Sequence, residues 1–224
     1  MDPLSDAKII DSWEKNAASW TRAVRENRIA SRSLVTNEAI LDAVTGRSPR
    51  TVLDIGCGEG WLVRALTDMG IAATGIDAIP ELIEQAARAG GGDFRVMSYE
   101  EIAASKLDFA ADVVVANFSL IGNESVEGLL RRAPGMLSPG GALIVQTIHP
   151  ETACGDNAYA DGWRQGSWAG FTSDFSDPAP WYFRTMPSWL RLFAECGFST
   201  VEVREPMHPD TNKPASVIFL ADCS

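Results

Sequence analysis

Thr51-Val52-Leu53-Asp54-Ile55-Gly56-Cys57-Gly58-Glu59-Gly60-Trp61 is the stretch that decides the fold. A short run rich in β-branched and apolar residues meets three glycines at alternate positions. Trp61, Leu62, Ala65, Leu66 and Met69 then recur at helical spacing until Gly70. The pattern predicts a strand, a glycine loop and a helix in immediate succession. Glycines in such a loop let the backbone approach a ligand closely. The helix start adds free N–H groups and the positive end of a dipole, which suits a carboxylate or a phosphate.

The same alternation continues downstream. Ala72–Ile76 reads as a second strand, followed by a helix with Pro80 in its first turn and Ile79, Leu82, Ile83, Ala86 and Ala87 as its apolar face. Gly90–Gly92 stop that helix, and Phe94–Met97 reads as a third strand. Asp112–Asn117 is a continuous apolar run, predicting a fourth strand buried on both faces. Val126, Leu129, Leu130, Ala133 and Leu137 mark a helix, Ser138–Gly141 a turn, and Ala142–Ile148 a fifth strand. Strands alternating with helices predict an α/β fold, with a doubly wound, mostly parallel sheet whose ligands bind beyond the carboxyl ends of the strands.

Outside this core the pattern changes. Residues 5–46 read as helical, with Ile9, Ile10, Trp13, Ala17 and Trp20 on one face and a second helix over 33–45 stopped at Gly46. Arg22, Arg25, Arg28 and Arg32, spaced by three and four, predict one helical stripe able to fork onto an anion or to pair with neighbours such as Glu26. Residues 149–186 are rich in Gly, Pro, Asp and aromatics. A helix around 188–196 leads to Thr200–Arg204 and Ala215–Ala221, which have no room for a crossover helix between them and should pair antiparallel. The chain thus reads as one domain: a helical cap (1–46), a ligand-binding core (50–148), an insertion or lid (149–186) and a C-terminal helix with its strand pair (187–224).

Composition narrows the chemistry. The 224 residues carry a formal net charge of −11, which disfavours a phosphate backbone as partner and favours a small or cationic one. Four unpaired cysteines and two histidines make neither a zinc site nor a disulfide framework, so no metal is expected. The opening residues show no signal peptide, and no run suits a membrane span. The expectation is a cytoplasmic monomer or homodimer without nucleic-acid or membrane partners.

Two cofactors suit the glycine loop. A nicotinamide dinucleotide usually requires G-x-G-x-x-G, and here the third glycine falls on Trp61. Asp54 before the loop favours an ammonium over a pyrophosphate, and Asp77 at the end of the second strand can accept from ribose hydroxyls. VLDIGCGEG resembles the first motif of class I S-adenosylmethionine-dependent methyltransferases. The resemblance continues through GID at 75–77, ADVVVANFSL at 111–120, LSPGGALIVQT at 137–147 and the final strand pair. It implies a Rossmann-like seven-stranded sheet with an antiparallel last strand, and S-adenosylmethionine as cofactor. By position, Gly56, Cys57, Gly58 and Gly60 would line the methionine moiety and Asp54 its ammonium. Asp77 with Ala78 would hold the ribose, Ser98 and Tyr99 would flank the adenine, and Asn117 and Phe118 would face the sulfonium and the acceptor.

Methyl transfer from a sulfonium needs positioning and exclusion of water, and a general base only when the acceptor must first lose a proton. Asn117-Phe118-Ser119-Leu120 departs from the NPPY of family members acting on nucleobases or glutamine, so a small-molecule acceptor is expected. His149 is the candidate base or orienting donor, with strand-end bonding to backbone as its alternative role. Trp20, Arg32, Trp163, Trp168 and Arg184 are the candidate acceptor contacts. The competing readings are a nicotinamide-dependent oxidoreductase and a non-catalytic cofactor-binding or interaction protein of the same fold.

Overall fold

The computed structural model describes residues 2–223. Nine strands and eight α-helices follow in order among them: α1 (Asp6–Arg25), α2 (Asn37–Thr45), β1 (Thr51–Ile55), α3 (Trp61–Asp68), β2 (Ala72–Asp77), α4 (Pro80–Ala89), β3 (Asp93–Val96), α5 (Tyr99–Ala103), β4 (Ala111–Asn117), α6 (Glu124–Arg132), β5 (Leu137–Thr147), α7 (Pro150–Cys154), β6 (Gly162–Arg164), β7 (Trp181–Phe183), α8 (Met186–Glu195), β8 (Phe198–Arg204) and β9 (Val217–Cys223). Seven strands form one sheet in the order β3-β2-β1-β4-β5-β9-β8, and only β9 runs antiparallel to its neighbours. The order reverses between β1 and β4, the point at which such sheets open a crevice for ligands.

Alternation along the central strands divides the core into two layers. Leu53, Ile55, Val114, Ala116, Leu143 and Val145 pack with Ile102 of α5, Leu129 and Leu130 of α6, and Phe193 of α8. Val52, Val113, Val115 and Ile144 point the other way, onto Ile40 and Val44 of α2 and Leu62 and Leu66 of α3. The period of two that buries Val52 on the α2–α3 face also directs Asp54 to that face. A third cluster joins α1 to the start of α4 through Ala17, Ile79 and Leu82, with Trp13 and Trp20 half-buried against it.

Three expectations differ from the structure. The four arginines do not share a helix face: α1 ends at Arg25, and Asn27 takes a left-handed φ of 53° that turns the chain before Arg28. Arg32 instead begins a π-helical turn over Arg32–Thr36 that leads into α2. Ser138–Gly141 is not a separate turn but an irregular opening of β5. Its pairing with β4 skips from Ala111↔Leu137 to Val113↔Ala142, with Gly140 left-handed at φ 77°. Finally, the insertion has regular structure of its own: β6 and β7 form a two-stranded antiparallel ribbon, with Gly162↔Phe183 and Arg164↔Trp181 in register.

Candidate functional site: a cosubstrate cleft and an aromatic chamber

A cavity of about 360 Å³ lies beyond the carboxyl ends of β1, β2 and β4. The glycine loop forms its floor. Gly56 and Gly60 are glycines for packing: both are left-handed, and a Cβ would sit 2.3 Å from Ser119 Cβ at the first and 2.6 Å from the Phe94 ring at the second. Gly58 differs, because a Cβ there would meet only Trp20 Nε1, at 3.5 Å. It is the glycine that faces open space. Gly56, Cys57, Gly58, Asp77, Ala78, Tyr99, Asn117 and Phe118 all line the cavity. Gly60 and Asp54 lie behind it, and Asp54 is buried beneath the loop at 2% exposure.

Unpaired polar atoms concentrate here. Asp54 Oδ1, Asn117 Oδ1 and Arg32 Nη2 are buried without hydrogen-bond partners. Burial and the nearby Asp77 push the Asp54 carboxyl up to about 8. Arg32 lies with its guanidinium 5.0 Å from the Trp61 ring centroid and 5.8 Å from that of Trp20, and burial lowers it to about 10 against the attraction of Glu59 and Asp54. Burying unpaired charge is costly, and such clusters persist where a ligand completes them. Asp77 is pushed up by burial, while it accepts from the Gly58 and Ile79 amides at 2.9 Å each. Tyr99 donates to the Ser119 carbonyl at 3.1 Å.

A second cavity of about 240 Å³ adjoins the first, and Trp13, Phe118, Ile121, Ile148 and Trp168 line both. Its far wall is Trp181, Tyr182, Phe183 and Trp189. Phe118, between the two cavities, holds a left-handed φ of 54°, while its amide donates to the Gln146 carbonyl at 2.8 Å. A bulky residue in this region is strained and is held there by its surroundings.

The loop between β6 and β7 covers this side. Trp168, Phe171 and Phe175 pack together, and Trp168 meets Trp13 at 5.8 Å and 85°. The loop is fastened to α1 by polar contacts. Asn16 donates to the Ser176 carbonyl at 2.7 Å and accepts from the Ser176 amide at 2.9 Å. Lys8 and Lys15 both bridge Asp11 and Asp177, and Arg22 pairs with Asp174.

Several expected site residues lie elsewhere. Ser98 lines neither cavity; it is the N-cap of α5, in a capping box with Glu101. His149 also lines neither: it caps α7 by accepting from the Glu151 amide at 3.3 Å, and its Nε2 lies 2.8 Å from Glu205. Trp163 sits on the ribbon against Tyr182, outside both linings. Arg184 borders the second cavity, but its guanidinium is committed to the Gly122 and Asn123 carbonyls at 2.8 and 3.1 Å and lies over the Tyr182 and Trp189 rings. Sequence reasoning missed Trp61, whose signal was an aromatic at the helix start directly after the glycines. It also missed Glu59, which is 1% exposed and paired with Arg25 and Arg64. Among the described residues no group of three or more His, Cys, Asp or Glu is placed to hold a metal, and no helix is long and apolar enough to cross a membrane.

Comparison with known proteins assigns this architecture. A family model described as a methyltransferase domain matches residues 25–203. A ubiquinone biosynthesis O-methyltransferase of Xanthomonas oryzae pv. oryzae is 32% identical over 121 residues, which is 50% of this chain and 50% of the relative. An uncharacterized methyltransferase of Mycobacterium bovis is 33% identical over 113 residues, 50% of this chain and 57% of the relative. The chain thus spans about half the length of the curated relatives it matches. Among solved structures, the DhpI–SAM–HEP complex aligns with a TM-score of 0.66 over 99% of this chain and 98% of that one, at 15% identity. An S-adenosylmethionine-dependent methyltransferase from Mesorhizobium loti aligns with a TM-score of 0.60 over 80% and 95%, at 21% identity. These likenesses bear on the fold, and the family match covers most of the chain: it belongs to the methyltransferase-domain family.

Proposed function

We propose that the chain transfers the methyl group of S-adenosylmethionine to a small organic acceptor. The observation that carries this reading is the pair of orphaned buried groups beside the glycine loop: the carboxyl of Asp54 and the guanidinium of Arg32. A ligand with both an ammonium and a carboxylate answers both. A dinucleotide does not, because its pyrophosphate would meet the Trp61 indole and the buried Glu59 carboxyl. The residues present therefore fit the cosubstrate that the family uses.

Bound there, S-adenosylmethionine supplies a methyl group already activated on a sulfonium. Arg32, within contact distance of both the Trp61 and Trp20 rings, is preorganised to fork onto the carboxylate. Asp54 takes the ammonium, and Asp77 takes the ribose. Gly58 leaves room for the chain to pass. Asn117 and Phe118 border the reacting end, where the two cavities meet. The loop carrying Trp168 and Phe171 excludes water above them. These residues position and desolvate the reactants, and that is most of what a methyl displacement asks of a protein.

The test compares S-adenosylhomocysteine with 5′-methylthioadenosine, which lacks the amino-acid end, by titration calorimetry. Wild type should bind the first at least tenfold more tightly, and Arg32→Gln should remove that advantage while leaving methylthioadenosine binding intact. Equal affinity of wild type for the two ligands would contradict the assignment of Arg32 and Asp54.

A further inference from the structure

The second cavity has an unusual inventory for a place where an acceptor must be activated. No Asp, Glu, His, Lys or Cys lines it. Its one charged residue, Arg184, is buried and donates to the Gly122 and Asn123 carbonyls and to Asn123 Oδ1, and a guanidinium does not serve as a base near neutrality. Of the carboxylates that line the first cavity, Asp6 accepts from the Asn123 and Ser125 amides at 2.7 and 3.0 Å, Asp77 from the Gly58 and Ile79 amides, Glu59 is paired with Arg25 and Arg64, and Glu100 is exposed. Tyr99 is likewise tied to the Ser119 carbonyl. What surrounds the junction instead is aromatic. Trp13 and Trp168 stand at 85° with centroids 5.8 Å apart and make a corner, and Phe118 borders the same two cavities.

We propose that the acceptor is an amine on an apolar or aromatic body, methylated on nitrogen, and that the Trp13–Trp168 corner holds the cationic nitrogen of the product. This inference rests on the methyl-transfer reading above. An alcohol or phenol would need a base that the chamber lacks, whereas an uncharged amine brings its own lone pair. In the transfer, that lone pair forms the N–C bond as the methyl C–S bond breaks. The sulfonium becomes a neutral thioether, and the positive charge passes to nitrogen. A tertiary amine ends as a quaternary ammonium, and a secondary or primary amine afterwards loses a proton to water. Charge therefore arrives at nitrogen during the reaction, and aromatic faces attract it more strongly as it develops. The chain's net charge of −11 favours the positive charge once it has passed to nitrogen. The apolar far wall of Trp181, Tyr182 and Phe183 receives the body of the molecule.

The experiment uses the whole chain saturated with S-adenosylhomocysteine, whose binding is established first by calorimetry. Failure at that step removes the methyl-transfer reading itself. Three probes are then titrated by quenching of tryptophan fluorescence: phenyltrimethylammonium, its neutral isostere tert-butylbenzene, and 4-tert-butylbenzoate, which adds an anionic carboxylate to that isostere. The proposal expects the ammonium to bind at least tenfold more tightly than either of the others. Trp13→Leu should shrink that ratio to about one. Equal binding of ammonium and isostere by wild type, preference for the carboxylate, or no binding of the ammonium would each overturn it. The wild-type comparison decides the matter even if the variant does not fold.

Discussion

Asn16 is a buried amide on α1, and only one of its three side-chain bonds, from Nδ2 to the Ser12 carbonyl at 2.8 Å, stays within its own helix. Its Nδ2 donates to the Ser176 carbonyl at 2.7 Å and its Oδ1 accepts from the Ser176 amide at 2.9 Å, a reciprocal pair that pins the loop between β6 and β7 onto α1. Asn16→Ala deletes both loop bonds at once, together with the one inside α1, which does not hold the loop. Ser176 is exposed, so its amide turns to water while its carbonyl keeps the Trp168 indole N–H at 2.9 Å, and each lost bond costs about 1 kcal/mol net. The closed loop should therefore lose about 2 kcal/mol, and the open population should rise roughly 30-fold. Hydrogen exchange read by mass spectrometry checks this. Peptides covering 166–178 should exchange roughly 30-fold faster, while those from β4 and β5 keep their protection. Because the loop carries Trp168, the apparent affinity for the ammonium probe should fall with it. Lys15→Ala, which removes one half-exposed member of the neighbouring charge cluster, should change exchange far less. Unchanged exchange across 166–178 in Asn16→Ala would refute the view that this amide holds the loop shut.

Other perturbations separate ligand effects from fold effects. Gly58→Ala places its methyl group in open cavity with only backbone strain to bear, about 1 kcal/mol, so it should weaken S-adenosylhomocysteine binding more than it lowers the melting temperature. Gly56→Ala drives a methyl to 2.3 Å from Ser119 Cβ and should chiefly destabilise the fold. Asp54, pushed up to about 8 by burial, holds its proton near neutrality in the free protein and must release it to meet an ammonium. Affinity for S-adenosylhomocysteine should therefore rise between pH 6 and 7, by up to about tenfold, with proton release visible as buffer-dependent enthalpy. The same shift means that the folded protein binds more protons than the unfolded chain from about pH 4 to about pH 8. Stability of the free protein should fall as pH rises through that window, Asp77 acting in the same sense, and Asp54→Asn should flatten the slope. His149→Ala should cost about 1 kcal/mol of stability through loss of the α7 cap and leave S-adenosylhomocysteine affinity unchanged; a tenfold loss of affinity would bring His149 back into the site.

The central sheet was legible because its signals are local and periodic. TVLDI and DVVVAN run into the glycine loop and the cleft, and each buries alternate residues in opposite layers. The antiparallel β8–β9 pair followed from the lack of a crossover helix between the two runs. The arginine stripe misled because spacing carries no warning of a break: Asn27 adopts a left-handed turn with neither Gly nor Pro to mark it. Arg32 emerges at the cleft only because the chain turns there and unwinds into a π-helical segment. His149 shows the complementary difficulty. Its position after β5 is near the cleft in sequence, but whether its ring faces the cleft or Glu205 depends on side-chain direction, and that is set by Glu205, 56 residues away. The second chamber was half visible: the tryptophans pointed to a lid, but which of them line the cavity depends on the register of the β6–β7 ribbon. That register puts Trp181 in the lining and Trp163 outside it.

The most direct test of the account is a side-by-side thermal melt of the purified chain with S-adenosylmethionine, S-adenosylhomocysteine, NADH and NADPH. A ligand at about one hundred times its dissociation constant adds about 2.7 kcal/mol, which for a chain of this size is a rise of roughly 5 to 10 °C. The account predicts that rise with the two sulfur nucleosides and none with the nicotinamide cofactors. A rise with NADH or NADPH, or with none of the four, would contradict it.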